Sequence, residues 1–384
     1  MHIKIEQIKS AFCRVFDTEP DFVIQAPGRI NLIGEHIDYN GGLVLPAAID
    51  RYVWMSFGQS KTPGIFEFYS VDFDESYILD NRTIEKSDKG WVNFFLGIIK
   101  QLYPVINKQK GLRVAFTSNI PMGAGMSSSS AIEGAFLFGI NYRYQLGFSY
   151  DKLIAISQWS NHNFLGIQGG IMDQFTSFNG RKGHCILLDC ATYNKEYIPL
   201  TIPGYKWVLF DTKVKHDHAT GSYNSGPEAC KQALQIIQKD YPDIKFLVDL
   251  DKKQLSTIKL PKHIKERVAF VLEENQRVLA FVEALRQNSF QQLGHILYQS
   301  HAGLQQKYLV SCETLDFLVE ISKKTKGIMG ARMMGGGFGG CTLNLIREED
   351  LKDVIETVSD QYKKRFSIDM EAYTVAVVDG ISFA

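Results

Sequence analysis

The sequence feature that most constrains this chain is a glycine- and serine-rich segment that runs directly into a helical pattern. Residues 121–130 read Pro-Met-Gly-Ala-Gly-Met-Ser-Ser-Ser-Ser, and the residues that follow predict a helix over 130–144. A flexible loop at a helix N-terminus presents backbone N–H groups and the positive end of the helix dipole to an anion. The segment is not a Walker A loop, because no Gly-Lys-Ser/Thr closes it. We interpret it as a phosphate-binding loop; the alternatives are a linker or a serine N-cap cluster.

Composition restricts the class of protein and its partners. The chain has 384 residues, a length typical of two domains, and its 42 basic side chains balance its 42 acidic ones. Proteins that bind nucleic acid or acidic lipid usually carry a basic surplus, so neither partner is expected. The first residues contain no apolar signal-peptide core, and no apolar run reaches about 18 residues. The six cysteines form no C-x-x-C pair, so zinc and redox motifs are not indicated. We therefore expect a cytoplasmic protein.

Hydrophobic patterns predict an α+β protein with strands and helices in both halves. Runs of β-branched and aromatic residues predict strands over 52–57, 65–69, 112–117, 185–188, 206–210, 342–346 and 373–378. Helical patterns cover 91–102, 130–144, 150–163 and 261–287. A turn-rich stretch at 199–205 predicts a boundary between two lobes, residues 1–203 and 204–384. A ligand is then expected in the cleft between the lobes.

A second segment, residues 28–40, concentrates polar and charged side chains between apolar ones. It reads Gly-Arg-Ile-Asn-Leu-Ile-Gly-Glu-His-Ile-Asp-Tyr-Asn. Carboxylates accept hydrogen bonds from hydroxyls, and a histidine donates or accepts, so this mixture suits the binding of a polyol. The alternative is a surface loop of solvated charges with one satisfied histidine.

The third unusual segment is a glycine run at residues 335–340, which matches G-x-G-x-x-G. That dinucleotide fingerprint requires a following helix, whereas residues 341–346 predict a strand, so the dinucleotide interpretation fails. Backbone without side chains nevertheless allows close approach to another loop or to a substrate. Asp173, which follows a glycine pair, is either a helix N-cap or an acid in a cleft beside Arg29.

Taken in order, these segments resemble the GHMP family of small-molecule kinases, and within it the galactokinase branch. Residues 28–39 are similar to the sugar-binding signature G-R-x-N-[LI]-I-G-E-H-x-D-Y of that branch. Residues 121–130 are similar to the phosphate loop P-x-G-x-G-L-S-S-S-A, and residues 91–94 to the W-x-N-Y helix. Residues 170–174 match G-I-M-D-Q, and residues 332–341 match R-M-x-G-G-G-F-G-G-C. The resemblance spans nearly the whole chain.

The resemblance implies a two-lobed GHMP fold, with an N-terminal lobe like ribosomal protein S5 and a ferredoxin-like α/β C-terminal lobe. It also implies phosphorylation of galactose at O1 by ATP and Mg²⁺ in the cleft between the lobes. We expect the protein to be a monomer. By position, the catalytic residues would be Arg29 and Asp173. The sugar would also contact Glu35, His36, Asp38, Gly170 and Tyr223. The nucleotide would meet Trp91, which would lie against the adenine, and the loop residues Gly123, Ala124, Gly125, Met126, Ser127, Ser128 and Ser129.

The resemblance further implies two metal ligands, Ser129 and Asn161. The family commonly has a glutamate at the position of Asn161, and an asparagine coordinates through its oxygen but carries no charge. We expect Asp173 to orient the sugar hydroxyl as much as to accept its proton, because Arg29 beside it favours the ionised carboxylate and weakens it as a base. The alternative functions are an N-acetylgalactosamine or galacturonate kinase and a non-catalytic galactose and ATP sensor.

Overall fold

The protein alternates helices and strands along the whole chain. The computed structural model describes residues 2–62, 64–80, 83–106, 111–214 and 225–384. Its α-helices are α1 His2–Phe16, α2 Asn93–Ile106, α3 Ser128–Arg143, α4 Tyr150–Trp159, α5 Met172–Asn179, α6 Ser225–Asp240, α7 Lys252–Thr257, α8 Lys262–Arg286, α9 Phe290–Gly303, α10 Glu313–Lys324 and α11 Leu351–Phe366. Its strands are β1 Phe22–Asn31, β2 Leu43–Val44, β3 Pro46–Gln59, β4 Phe66–Ser70, β5 Glu75–Leu79, β6 Leu112–Ser118, β7 His184–Asp189, β8 Lys195–Pro199, β9 Tyr205–Asp211, β10 Ile328–Met334, β11 Cys341–Arg347, β12 Glu371–Val375 and β13 Ser382–Phe383.

The largest sheet has six strands in the order β13-β1-β3-β6-β4-β5. Strands β4 and β6 run parallel, and the other neighbours run antiparallel. The ladder between β1 and β3 shifts register between Pro27 and Gly28, where the polar segment 28–40 begins. Such an irregularity re-aims the side chains that follow it. The polar segment therefore begins at this irregularity, and its first four residues, 28–31, stay paired with β3 in the shifted register.

The second half of the chain contains a four-stranded antiparallel sheet in the order β10-β11-β9-β12. Helices α6 to α10 lie between β9 and β10 along the chain, and α11 lies between β11 and β12. This is the β-α-β-β-α-β arrangement of ferredoxin-like domains, so the expectation for the C-terminal lobe is confirmed. The short connection from β10 to β11 is the glycine run at residues 335–340.

Aromatic packing attaches α2 and α3 to the six-stranded sheet. The ring of Phe68 on β4 stacks on Phe95 of α2 with centroids 5.0 Å apart, and Phe95 meets Phe136 of α3 edge-on at 4.8 Å. Phe116 of β6 lies 5.5 Å from Phe95, and all four side chains are buried. Burial of such rings contributes strongly to a core. It fixes α3, and the loop at its N-terminus, relative to the sheet.

A small sheet in the order β2-β7-β8 is formed by the first half of the chain and contacts α8 of the second half. Helix α8 from the second half packs over β2, where Asn275 Oδ1 accepts from the backbone N–H of Leu43 at 2.8 Å. Glu274 on the same helix accepts from the backbone N–H of Gly34 at 3.1 Å. These bonds satisfy the backbone N–H groups of Gly34, in the polar segment, and of Leu43, at the start of β2. The conformation of that segment therefore depends on α8.

Elements predicted from the sequence are present, with shifted ends. Helix α3 begins at Ser128, two residues before the predicted start. The helix predicted over 150–163 is α4, which ends at Trp159 and continues as a π-helical turn to Leu165. The lobe boundary near 203 stays a prediction, and the last strand of the chain, β13, pairs with β1 in the first sheet. Within the ranges that the structure describes, no helix is both long and apolar enough to span a membrane.

Candidate active site

A salt bridge between Arg29 and Asp173 lies at the centre of the candidate site. Arg29 is near the end of β1 and is 5% exposed, and Asp173 stands in the first turn of α5. The Nε and Nη2 atoms of Arg29 lie 2.8 and 3.0 Å from the two carboxylate oxygens. This bidentate geometry fixes both groups, while the side chain of Asp173 keeps 29% of its surface exposed. The structure thus brings the two predicted catalytic residues together and leaves the carboxylate accessible.

The glycine–serine loop touches the same salt bridge. The hydroxyl of Ser127 donates to Asp173 Oδ2, and Arg29 Nη1 donates to the carbonyl of Gly125. The backbone N–H of Arg29 donates to the carbonyl of Met126 at 3.1 Å. The predicted phosphate loop and the predicted catalytic pair are therefore parts of one hydrogen-bonded unit.

Left-handed backbone conformations shape this loop. Gly123 and Gly125 have φ of 77° and 73°, and Ser127 has φ of 61°. Glycine adopts such angles without steric cost, whereas a serine does so rarely. The bond from Ser127 to Asp173 occupies its side chain, which does not cap α3. The N-terminal N–H groups of α3 are the kind of donors that bind phosphate.

The two glycine-rich segments of the sequence meet in the structure. A Cβ atom on Gly125 would lie 3.1 Å from the carbonyl oxygen of Met334, and one on Gly335 would lie 3.2 Å from Gly125 Cα. A Cβ atom on Gly340 would lie 3.2 Å from the carbonyl oxygen of Gly123. At these positions the backbones of the two segments approach so closely that an added Cβ atom would push the other segment away by a few tenths of an ångström. The expectation that the glycine run approaches another loop is confirmed.

A second buried ion pair joins the polar segment to β10. Arg332 is 0% exposed and Glu35 is 2% exposed, and Arg332 Nη2 lies 2.9 Å from Glu35 Oε1. The backbone N–H of Gly335 donates to the same oxygen at 2.7 Å. Burial raises the pKa of the Glu35 carboxyl, but the positive charges of Arg332 and Arg29 outweigh it and hold the pKa below its usual range. Glu35, predicted as a sugar ligand, is thus ionised and already fixed by the second half of the chain.

His36 is buried beside two tyrosines. Its backbone is left-handed, with φ of 61°, and its Nδ1 atom lies 2.8 Å from the hydroxyl of Tyr39. Its ring packs against that of Tyr308 with centroids 4.9 Å apart. Burial lowers the pKa of His36 to about 4. The imidazole is therefore neutral near pH 7 and offers one donor and one acceptor.

Asp38 and Gly170 are in direct contact. A Cβ atom on Gly170 would overlap the carboxylate of Asp38, so glycine is required there. Burial, and then the negative charge of Asp173, raise the pKa of Asp38 to about 7, although bonds from the backbone of Tyr39 and Met172 oppose the shift. Two predicted sugar ligands and the predicted acid–base residue therefore share one local environment.

Trp91 lies in a 3₁₀ turn, Gly90–Val92, immediately before α2. Its indole N–H donates to Glu75 Oε2 at 2.9 Å, and its ring lies 5.5 Å from that of Phe116. The side chain is 9% exposed, so most of the indole belongs to the core. Contact between Trp91 and adenine stays a prediction.

Asn161 lies beside a glutamate of α3 that the sequence analysis did not single out. Its Nδ2 donates to Glu133 Oε2 at 2.8 Å and to the carbonyl of Ser157 at 3.0 Å. Glu133 is fully buried, and burial raises its pKa to about 7. Because Ser129 precedes Glu133 by one helical turn, the two predicted metal ligands, Ser129 and Asn161, approach the same face of α3. Among the described residues, no three His, Cys, Asp or Glu side chains cluster as a metal site.

The sequence analysis assigned no individual role to three buried polar residues around the site, Arg332, Glu133 and Tyr308. The first two had a signal, since each is a lone charge in a run of apolar residues, and a charge in a core requires a partner. Tyr308 had no comparable signal. Tyr223, a predicted sugar ligand, lies outside the described residues.

Comparison with known proteins agrees with this geometry. The model of the galactokinase galactose-binding signature matches residues 10–59, which contain the polar segment. The models of the GHMP kinase N-terminal and C-terminal domains match residues 93–181 and 281–364. The three models match in the order that the sequence resemblance implied.

Full-length relatives carry the same assignment. The chain is 38% identical over 358 residues to a galactokinase of Thermotoga neapolitana, covering 93% of this chain and 99% of that protein. It is 39% identical over 359 residues to a galactokinase of Thermosipho africanus, covering 94% and 99%. The crystal structure of Lactococcus lactis galactokinase complexed with galactose superposes with a TM-score of 0.94 at 27% identity, over 99% of this chain and 100% of that one. Mevalonate kinase of Methanococcus jannaschii shares the fold, with a TM-score of 0.68 at 17% identity over 93% and 98%. The chain therefore belongs to the galactokinase family of GHMP sugar kinases.

Proposed function

We propose that this protein transfers the γ-phosphoryl group of ATP to the anomeric O1 hydroxyl of galactose and so forms galactose 1-phosphate. The observation that carries the proposal is the contact among Arg29, Asp173 and Ser127. It places the sugar signature, a carboxylate and the phosphate loop within hydrogen-bonding distance of one another. Phosphoryl transfer depends on holding the acceptor hydroxyl and the phosphate in line. The relative complexed with galactose supports galactose as the sugar.

The sugar would be held by Glu35, His36, Asp38 and Gly170. The carboxylates of Glu35 and Asp38 accept hydrogen bonds from sugar hydroxyls, and neutral His36 donates one or accepts one. Gly170 contributes backbone and space beside Asp38. Tyr223 remains a predicted contact of the same sugar.

Asp173 would orient the O1 hydroxyl and take its proton late in the reaction. Its carboxylate already accepts two bonds from Arg29 and one from Ser127, so it is held in a fixed orientation from which it can accept a hydrogen bond from O1. As the bond from O1 to the γ-phosphorus forms, the bond from the γ-phosphorus to the β–γ bridging oxygen breaks and ADP leaves. Arg29 then stabilises negative charge on the transferred group.

The nucleotide would lie along the loop formed by residues Gly123 to Ser129, with Trp91 near the adenine. Mg²⁺, when bound, neutralises charge on the phosphates, and it prefers oxygen ligands. The donor set fits that preference. The Nδ2 atom of Asn161 is committed to Glu133 and to Ser157, so its Oδ1 is the atom available for an ion, and Ser129 contributes a hydroxyl. A cytoplasmic location and a monomeric state also remain part of the proposal.

The test is turnover of ATP by the purified chain with Mg²⁺ and a panel of sugars: galactose, N-acetylgalactosamine, galacturonate, arabinose and glucose. We expect the highest kcat/KM with galactose and a product phosphorylated at C1, identified by ³¹P–¹H NMR correlation. Preference for N-acetylgalactosamine or galacturonate would replace the substrate and keep the reaction class. Binding of galactose and ATP without turnover of any sugar would identify a sensor and reject the proposal.

A further inference from the structure

Three of the proposed sugar ligands, Glu35, His36 and Asp38, lie on one short connection between β1 and β2. We call residues 35–42 the sugar loop. The residues that flank it, Gly34 and Leu43, are in direct contact. Gly34 has φ of 97°, and a Cβ atom on it would lie 2.7 Å from the carbonyl oxygen of Leu43. The sugar loop is therefore closed at a narrow neck, formed by Gly34 and Leu43.

Hydrogen bonds within the sugar loop join its residues into one unit. The backbone N–H groups of Asn40 and Gly42 donate to the carbonyl of Ile37 at 3.1 and 2.8 Å. The side-chain amide of Asn40 donates to the carbonyl of His36 at 3.0 Å. Because these bonds fix the loop internally, the position of its side chains depends on how the neck is held.

One face of α8 holds the neck from the second half of the protein. The backbone N–H of Gly34 donates to Glu274 Oε1 at 3.1 Å, and that of Leu43 donates to Asn275 Oδ1 at 2.8 Å. Val278, one helical turn further along α8, packs against the same place, since a Cβ atom on Gly34 would lie 3.1 Å from its Cγ2 atom. A backbone N–H only donates, so the direction of both hydrogen bonds is fixed.

The two acceptors differ in their surroundings. Glu274 is 0% exposed, and it also accepts from Arg277 Nε at 2.6 Å and from the hydroxyl of Ser300 at 2.7 Å. Its carboxylate therefore supports the packing of α8 against α9 as well as the neck. Asn275 is only partly buried, and within the described ranges its side chain forms a hydrogen bond only with Leu43. A substitution at Asn275 thus loosens the neck with little damage to the core.

We propose that Asn275 is a positioning residue for the sugar site, which together with Glu274 keeps the neck closed and so holds the sugar loop in its binding arrangement. The effect on sugar affinity rests on the proposed function, whereas closure of the neck does not. A loop that adopts the binding arrangement for only a fraction of the time binds its ligand more weakly by that fraction. Arg29, Asp173 and the phosphate loop lie outside the sugar loop, so loss of the bond weakens sugar binding and leaves the rate of phosphoryl transfer unchanged.

The test compares Asn275→Ala and Asn275→Asp with the wild type. Alanine removes the acceptor, whereas aspartate keeps an oxygen at the same place for the N–H of Leu43. Gln276→Ala is the matched control, since Gln276 is the next residue of α8, is exposed, and forms no side-chain hydrogen bond in the part of the chain that the structure describes.

Hydrogen–deuterium exchange of the Leu43 amide, measured by NMR, reports the neck directly. Loss of one hydrogen bond should make this exchange about three- to tenfold faster in Asn275→Ala than in the wild type. The aspartate variant and the control should stay within about twofold of the wild type. Amides of β6 should exchange equally in all four proteins, which separates a local effect from general damage to the fold.

Kinetics connect the neck to the sugar. KM for galactose should rise by about three- to tenfold in Asn275→Ala, with kcat and KM for ATP within about twofold of the wild type, and Asn275→Asp should restore it. Exchange at Leu43 or KM for galactose equal to that of the control would overturn the proposal, as would an aspartate variant that behaves like the alanine variant. Failure of the proposed function appears separately, as a wild-type protein that phosphorylates no sugar, while the exchange measurement still decides whether Asn275 closes the neck.

Discussion

Arg332 of β10 lies 2.9 Å from Glu35 of the polar segment, and the pair connects the two halves of the protein at the edge of the candidate site. Arg332 also donates to the backbone carbonyls of Asn31 and Leu32, so one guanidinium fixes the whole exit from β1. A buried charge of this kind is held only by its partner, because desolvation of either ion alone is costly. The geometry of the site at the end of β1 therefore requires both members of the pair.

Arg332→Met should destabilise the protein strongly. The substitution leaves Glu35 buried without its counter-ion, and breaking a buried pair in this way costs about 3–5 kcal/mol. Urea unfolding at pH 7 measures the change in the free energy of unfolding. The double variant Glu35→Gln/Arg332→Met should recover part of the loss, since it removes the uncompensated charge.

The control for this prediction is Arg365→Met. Arg365 also forms an ion pair at 2.8 Å, with Glu313, but the two side chains are 57% and 69% exposed. Exposed pairs contribute only ~0–1 kcal/mol. A loss at Arg365 as large as that at Arg332 would show that burial of the Glu35 pair does not govern its energy.

Asp173→Asn should lower kcat by about 10²–10⁴, the range that a positioned acid–base group contributes. The amide keeps nearly the same shape, so galactose should still bind. Rapid-quench kinetics measure kcat, and isothermal titration calorimetry measures binding of the sugar. A variant with nearly normal kcat and bound galactose would show that Asp173 is not the residue that handles the O1 proton.

Asp38 should make stability depend on pH in an unusual direction for a carboxylate. Its pKa is raised to about 7 by burial and by Asp173, above its value of about 3.9 in an unfolded chain. The native state therefore holds a proton that the unfolded state has lost, and the free energy of unfolding falls as pH rises from about 4 to about 7. Below this window the contribution of Asp38 is fully present.

The measurement is the free energy of unfolding at about pH 5 and about pH 8 for the wild type and for Asp38→Asn. Asparagine does not titrate, so the variant should lose less stability between the two pH values than the wild type. An equal loss of unfolding free energy between the two pH values in both proteins would place the pKa of Asp38 near its ordinary value. Added galactose should reduce the wild-type loss at the higher pH, because an ionised Asp38 is the form that accepts from sugar hydroxyls.

The sequence predicted the phosphate loop, the sugar signature and most strands because each has a local signature. A glycine- and serine-rich loop before a helical pattern, or a run of β-branched residues, can be recognised within about ten consecutive positions of a sequence. The contacts of Arg332 with Glu35 and of Tyr308 with His36 join residues roughly 300 positions apart. Nothing local encodes them, since they arise only when β10 and the π-helical turn pack against the end of β1. At Trp91 the sequence identifies the W-x-N-Y motif but not the packing of the indole against Phe116, which depends on the tertiary structure.

Gly170→Ala should weaken galactose binding specifically. The added methyl group would overlap the carboxylate of Asp38, and that side chain, or the turn before α5 that carries Gly170, would have to move. Overpacking of this kind costs about 1–3 kcal/mol, which corresponds to a rise of roughly 5- to 150-fold in KM for galactose if the strain is relieved at the sugar site. KM for ATP should stay within about twofold of the wild-type value, because the added methyl group would collide with Asp38 and not with the phosphate loop.

Gly90→Ala is the matched control, since a Cβ atom there meets nothing within 4 Å, and its KM for galactose should equal that of the wild type. Equal values of KM for galactose in the Gly170 variant and in the control would mean that the position of Asp38 does not determine sugar affinity.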